Sequence, residues 1–288
     1  MVNNMIVGHL SFYLRVGWLK KGIDYLKKNN NENAFSKSNI EAIDELGIGS
    51  VMVQSLKFWL ELLDVVKKEN KKYVFKREIE TILELDPYLE NNNILWLLHS
   101  YILEREDKET EATLWKFVFE ERRNLSFTEE ELLNSFKVYL EKIGIKMSER
   151  SLKDSVSVFI KTYNKGNKDI LDPEENIISP FLKLNYLKEE DGRYYFRNVS
   201  EKEISEYLVL YLLMKESEKL NMRELNIFDT YSSFNKIMKI NMQDYEILIN
   251  KLEKRNYISL ERVAGLATLH IVKIVSNEEI IKRIIGRE

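Results

Sequence analysis

The sequence predicts a mainly α protein with small β-hairpins, built from tandem winged-helix-like modules, three in number, with a helical linking region. Three observations predict it. The 288 residues hold only 3 prolines and 10 glycines, and abundant Leu, Lys, Glu and Ile favour helix. The stretch from Ser36 to Phe75 reads as a helix, a glycine turn, a second amphipathic helix and a lysine-rich hairpin. The same order of elements then returns twice, with little residue identity between the copies.

Val16 to Lys28 carries Trp18, Leu19, Ile23, Tyr25 and Leu26 at helical spacing and stops at the Asn29–Asn31 run. Ser38, with Glu41 three residues on, predicts a capping box for a helix through Leu46. Leu46-Gly47-Ile48-Gly49 makes the turn, and Ser50 is expected to cap a helix reaching Leu63. Its apolar stripe is Val53, Leu56, Leu60 and Leu63, and its polar side shows Gln54, Lys57 and Glu61. Val65-Val66 and Tyr73-Val74-Phe75 flank Lys67 to Lys72 as a hairpin. Together these form an N-terminal module over residues 1–80.

Residues 81–124 form the helical linking region. Arg77 to Leu85 leads into it, Asp86-Pro87 starts a new element, Asn93 to Leu103 is strongly apolar, and Glu104 to Glu111 reads as a solvated acidic loop. Thr113 to Arg122 resumes a helix. A second module with a long insertion spans 125–199. Thr128 and Glu131 form a capping box, Ser148 caps the next helix, and a loop with Gly166, Asp172-Pro173 and Ser179-Pro180 leads to a hairpin turning at Asp191-Gly192. A third module spans 200–288, with helices at 201–219, 231–239 and 242–255, a hairpin turning at Ala264-Gly265, and a closing helix from Asn277 to Ile285.

The absence of cysteine excludes disulfides, thiolate metal sites and a cysteine nucleophile, and fits a reducing cytoplasm. No signal peptide is expected, and apolar runs such as Tyr207 to Met214 are too short for a bilayer. Net charge is −3, so any grip on phosphate must be local. Residues 1–80 carry 13 Lys+Arg against 10 Asp+Glu (+3), residues 81–198 carry 17 against 23 (−6), and residues 199–288 carry 14 of each.

The first module offers the best nucleic-acid surface. Ser50, Gln54 and Lys57 lie on the helix expected to face the groove, where Gln suits a base edge and Lys suits guanine or phosphate. Lys67, Lys68, Lys71 and Lys72 place four positive charges on one wing beside Glu69. A solvated helix face and an ordinary polar hairpin are the competing reading. In the second module Arg150, Lys153 and Lys161 are suited to following a backbone, or are scattered surface charge. Gly47-Ile48-Gly49-Ser50 lacks the Gly-Lys-Ser/Thr ending of a phosphate loop. His9, His99 and His270 have no metal-ligand spacing, and neither a cofactor nor a catalytic acid–base pair emerges. His99, after Trp96-Leu97-Leu98, reads as a satisfied, half-buried core histidine. The N-terminal cluster of His9, Arg15, Trp18 and Lys21 either lines a polar site or anchors the N-terminal segment.

The pattern from Gly8-His9 through Phe12, Arg15, Gly17-Trp18-Leu19 and Lys21-Gly22 resembles the DUF4007 family of prokaryotic proteins. Leu46-Gly47-Ile48-Gly49, Asp86-Pro87-Tyr88-Leu89-Glu90, Leu95-Trp96-Leu97-Leu98-His99, the helix with Leu152, Asp154, Phe159, Thr162 and Tyr163, and Ala264-Gly265-Leu266 extend the resemblance over nearly the whole chain. It implies no catalytic residues. It does imply a companion role in defence gene clusters, notably those that place sulfur in the DNA backbone. One departure is Ser50-Val51, where family members often carry a lysine or polar pair.

The expectation from residues and resemblance together is a double-stranded DNA binder, accessory or regulatory to DNA modification or phage defence. The alternative is a scaffold whose modules hold a modification or restriction enzyme. A nuclease is a distant third, because clustered carboxylates would have to be assembled in three dimensions.

Overall fold

The computed structural model describes residues 6–36, 38–105, 113–122, 126–166, 178–263 and 266–286. Three short antiparallel sheets lie among helices, and apolar side chains from all parts of the chain join one continuous core.

The N-terminal unit contains α1 (Trp18–Lys28), α2 (Ile40–Leu46), α3 (Ser50–Leu62) and the hairpin β1 (Val66–Glu69) and β2 (Lys72–Phe75). The predicted elements are all present, but two caps differ. Asn39, not Ser38, caps α2, its side chain accepting from the Ala42 N–H. Gly49 occupies the cap position of α3, so Ser50 is the first helical residue. Gly47 adopts φ 61° and terminates α2 in the left-handed region that glycine tolerates. The hairpin pairs Val66 with Phe75 and Glu69 with Lys72. Asn70 and Lys71 both take positive φ between them, as a two-residue turn with the twist of its strands demands.

The linking region supplies α4 (Arg77–Leu85), α5 (Asn92–Glu104) and α6 (Leu114–Lys116), which runs on into a π-helical turn, Phe117–Glu121. The single helix expected over Thr113 to Arg122 thus widens midway into a π-helical turn. Every residue of α5 from Ile94 to Leu103 is buried, as an all-round apolar helix requires. α6, the later helices Ile227–Ile237 and Asn277–Ile285, and the 3₁₀ turn Pro180–Leu184 all pack against it. Of the acidic loop predicted from Glu104, residues 106–112 lie outside the described residues; Glu104 itself closes α5.

The next two units share one topology. In the second, β3 (Ser126–Phe127), α7 (Glu129–Lys142), α8 (Glu149–Tyr163), β4 (Leu187–Glu190) and β5 (Arg193–Phe196) give the sheet order β3-β5-β4. In the third, α9 (Glu206–Leu220) precedes β6 (Glu224–Asn226), α10 (Ile227–Ile237), α11 (Met242–Lys254), β7 (Ile258–Val263) and β8 (Leu266–Ile271), with order β6-β8-β7. Both sheets therefore place the last strand centrally. The capping box of Thr128 and Glu131 forms, Ser148 caps α8 through the Ser151 N–H, and Asp191-Gly192 turns the second hairpin with positive φ at both residues. α9 begins at Ser205, which caps it, rather than at 201, and α10 begins four residues before 231. Asp172-Pro173 and Ala264-Gly265 lie outside the described residues.

The closing helix α12 (Asn277–Ile285) returns to the linking region, packing on α4, α5 and α9. Asn277 Nδ2 donates to Glu78 Oε1 at 2.6 Å, and Asn91 Nδ2 to the Ile284 carbonyl at 3.4 Å. No helix among the described residues is long and apolar enough to cross a membrane.

Candidate nucleic-acid interface

α3 does not protrude. Val53, Ser55, Leu56, Phe58, Trp59, Leu60 and Leu62 are all buried, because both flanks of the helix are covered. The N-terminal segment covers one flank: Trp59 Nε1 donates to the Phe12 carbonyl at 3.1 Å, and His9 meets Phe58 edge-on at 5.6 Å. Trp115 of α6 packs edge-on against Trp59 at 5.4 Å. The buried face of this helix is thus wider than its apolar stripe, and Ser50, Gln54 and Lys57 form its half-exposed polar edge. Gln54 is half-buried and its amide donates inward to the Phe35 carbonyl. Lys57 pairs with Glu61 at 3.7 Å one turn along. Ser50 is half-buried at the first turn and takes no capping role.

The β1–β2 hairpin does stand in solvent. Lys67, Lys68, Lys71 and Lys72 are all exposed, Lys71 by 79%. The structure also gives them local partners. Lys67 lies 3.6 Å from Asp64, Lys71 lies 3.3 Å from Glu32, and Lys68 donates to the Glu32 carbonyl at 3.2 Å. Exposed pairs of this kind contribute little stability and exchange readily with solvent ions, so the hairpin remains the most basic projecting element of its unit. Asp64 is nearly buried at the hairpin base, and Lys76 also contacts it while lying over the Tyr101 ring at 4.2 Å. That network fixes where the hairpin leaves the core.

On α8, Arg150, Lys153 and Lys161 are exposed while Leu152, Val156 and Phe159 face inward. Lys153 pairs with Glu149 at 2.6 Å. The helix thus shows a charged outer edge, not a fully free face.

The N-terminal and central motif residues are mostly architectural. His9 is fully buried; its Nδ1 accepts from the Ser11 N–H at 3.2 Å and its Nε2 lies 3.3 Å from Ser155 Oγ of α8. This pattern requires the neutral tautomer with the proton on Nε2. Burial lowers its pKa to about 4, against the opposing pull of Asp154. Arg15 lies over the rings of Phe12 and Trp18 at 5.5 and 5.6 Å. Trp18 is buried at the start of α1, and Lys21 donates to the Leu46 carbonyl at 3.2 Å, tying α1 to the end of α2.

His99 sits at the junction of all the later units. Trp115 Nε1 donates to Tyr163 Oη at 3.1 Å, the Tyr163 hydroxyl donates to His99 Nδ1 at 2.8 Å, and His99 Nε2 donates to the Ile237 carbonyl at 3.0 Å. One satisfied chain thereby links α6, α8, α5 and α10. Burial lowers the His99 pKa to about 3, so the ring is neutral and structural. Trp96 packs edge-on against Tyr186 at 4.7 Å and against His99 at 5.8 Å. The sequence reading of His99 as a satisfied core residue holds, with burial complete rather than partial. Among the described residues no group of three or more His, Asp or Glu side chains is arranged to hold a metal ion.

The fold and its basic hairpin define a protein of repeated helix–helix–hairpin units fused through one core. The chain belongs to the DUF4007 family, described as a protein of unknown function, whose model matches residues 7–285. No curated protein matches it. Among solved structures it is similar to a magnesium ion-bound SspB crystal structure, with a TM-score of 0.79, 18% identity, and coverage of 97% of this chain and 86% of that one. A second SspB crystal structure aligns with a TM-score of 0.76, at the same identity and coverage. At this identity the likeness establishes the fold.

Proposed function

We propose that this protein binds double-stranded DNA as an accessory or regulatory component of a phosphorothioation-type DNA-modification or phage-defence system, acting in the cytoplasm. The observation that carries the reading is the exposed Lys67–Lys72 hairpin projecting from a helix–helix–hairpin unit. The β3-β5-β4 and β6-β8-β7 sheet orders support a tandem winged-helix plan, in which a short strand before the helix pair joins the final hairpin. Because α3 is buried, the hairpin makes the leading contact with phosphates and α3 serves as its foundation. Arg150, Lys153 and Lys161 supply a further phosphate-facing edge. Family membership supports the defence context through the resemblance described above.

A second reading, a scaffold for a modification or restriction enzyme, is favoured by one specific observation. Leu220, Met222, Phe228, Val272 and Ile274 of the last unit are each more than half exposed, which suits protein contact better than phosphate contact. Electrophoretic mobility with plain and sulfur-modified duplexes at low salt separates the two. Retardation of either duplex supports DNA binding. No retardation of either, with stable co-purification of an enzyme partner, rejects it.

A further inference from the structure

The hairpin of the second unit has the opposite sign to that of the first. At its tip Glu189, Glu190 and Asp191 are exposed, and none has an ion-pair partner among the described residues. The cations beside them are occupied. Lys188 donates to Asn185 Oδ1 at 2.7 Å, and Arg193 holds Glu131 through both terminal nitrogens at 3.0 and 2.9 Å. This wing therefore repels a polyanion, where the β1–β2 wing attracts one.

α7 starts beside that wing, at Glu131, and carries the chain about 16 Å away from it by Lys142. There the sign reverses. Residues 137–161 hold six Lys or Arg against three Asp or Glu, so the stretch is basic inside an otherwise acidic third of the chain. Around the corner between α7 and α8, Lys137, Lys142, Lys146 and Arg150 are all exposed. Among the described residues none of these four side chains is engaged in an ion pair or a hydrogen bond. Glu149 in their midst is spent on Lys153 at 2.6 Å. Its carboxyl is held below the usual range by that bond first, and further by Lys137, which places Lys137 of α7 beside the first turn of α8. Down α8, Arg150, Lys153, Ser157 and Lys161 follow at steps of three and four and share one outer face.

On the β1–β2 hairpin, by contrast, Lys67 and Lys71 already face Asp64 and Glu32. The corner cations need displace no partner to meet a phosphate. The large apolar side chains exposed at the corner are Val138 and Ile143, too few for the apolar centre of a protein interface. Free cations carried on two helices suit a regularly charged backbone instead.

We propose that the α7–α8 corner is a second duplex-binding surface, in which Lys137, Lys142, Lys146 and Arg150 meet phosphates of the DNA backbone. The duplex approaches this unit from the corner and not from its acidic wing. The inference rests on the duplex-binding reading above and adds a surface to it.

The test is fluorescence anisotropy of full-length chains on a labelled duplex over a salt series. The corner variant carries Lys137→Gln, Lys142→Gln, Lys146→Gln and Arg150→Gln. A control of equal charge carries Lys202→Gln, Lys236→Gln, Lys254→Gln and Lys282→Gln, all at exposed positions. The corner variant should lose tenfold or more in affinity and up to about 3.6 from the slope of log affinity against log salt, at about 0.9 per phosphate, while the control stays close to the native chain. In the native chain, duplex should also protect Lys137, Lys142 and Lys146 from acetylation, read by peptide mass, and leave Lys202 and Lys236 as reactive as before. Equal losses in both variants, no loss in the corner variant, or corner lysines that stay fully reactive would overturn this inference alone. A native chain that binds no duplex at low salt would overturn the duplex-binding reading and this surface with it.

Discussion

Lowering the pH from 7.5 to 5.0 should destabilise this protein through two buried histidines, and the size of the effect follows from their environments. His9 and His99 are held neutral by burial, with pKa values lowered to about 4 and about 3. In the unfolded chain each returns to an ordinary value near 6.5. The unfolded state therefore takes up protons first as pH falls. The stability that the two contribute is fully present above about pH 6.5 and drains away as pH drops toward the folded values. Each proton difference is worth about 1.4 kcal/mol per pH unit. From pH 7.5 to 5.0 the pair removes about 4 kcal/mol, about 3 of it below pH 6.5, a large fraction of the stability of an ordinary domain. Glu216, whose pKa is raised by burial, acts in the opposite sense and trims the effect only toward the carboxylate range. Urea unfolding followed by tryptophan fluorescence at half-unit pH intervals measures the slope. A slope approaching two protons between pH 6.5 and 5.0 is expected. A flat profile over that interval would refute the assignment of both rings as neutral core ties.

Two further substitutions probe packing and capping. A Cβ at position 22 would meet Leu60 Cδ1 at 2.8 Å, and Leu60 is fully buried. Gly22→Ala should therefore forfeit the usual helix-propensity gain and destabilise by about 1 kcal/mol through overpacking, read as a lower denaturant midpoint. Thr128→Ala removes one half of the capping box at α7, and should cost about 1 kcal/mol in the same assay. A neutral outcome for it would show that Glu131, held bidentately by Arg193, keeps α7 anchored unaided.

Elements whose cause is local could be read from the chain. Thr128 with Glu131, Ser148, and Asp191-Gly192 each specify a cap or turn within a few residues, and each forms. The strands β3 and β6 were missed because two or three residues become a strand only by pairing with β5 and β8, far along the sequence. The burial of α3 was missed for a related reason. Its apolar stripe predicted one buried face, and Phe12, His9 and Trp115 arrive from elsewhere to widen it over Ser55, Phe58 and Trp59. On the polar edge that remains, Gln54 donates to the Phe35 carbonyl and Lys57 pairs with Glu61. The wing lysines were legible as a hairpin, although their pairing with Asp64 and Glu32 needed the folded chain.

The central claim is that the β1–β2 hairpin meets DNA phosphates. The direct measurement is duplex affinity by fluorescence anisotropy over a salt series, for the native chain and for the variant with Lys67, Lys68, Lys71 and Lys72 all changed to alanine. Each phosphate contact contributes about −0.9 to the slope of log affinity against log salt. Four contacts would remove about 3.6 from the slope, and Lys68 and Lys72 alone, with Lys67 and Lys71 kept in their ion pairs, about 1.8. The account predicts a loss of slope between these values, with the fold unchanged by circular dichroism. An identical slope and affinity in the variant would contradict it and remove the hairpin from the interface.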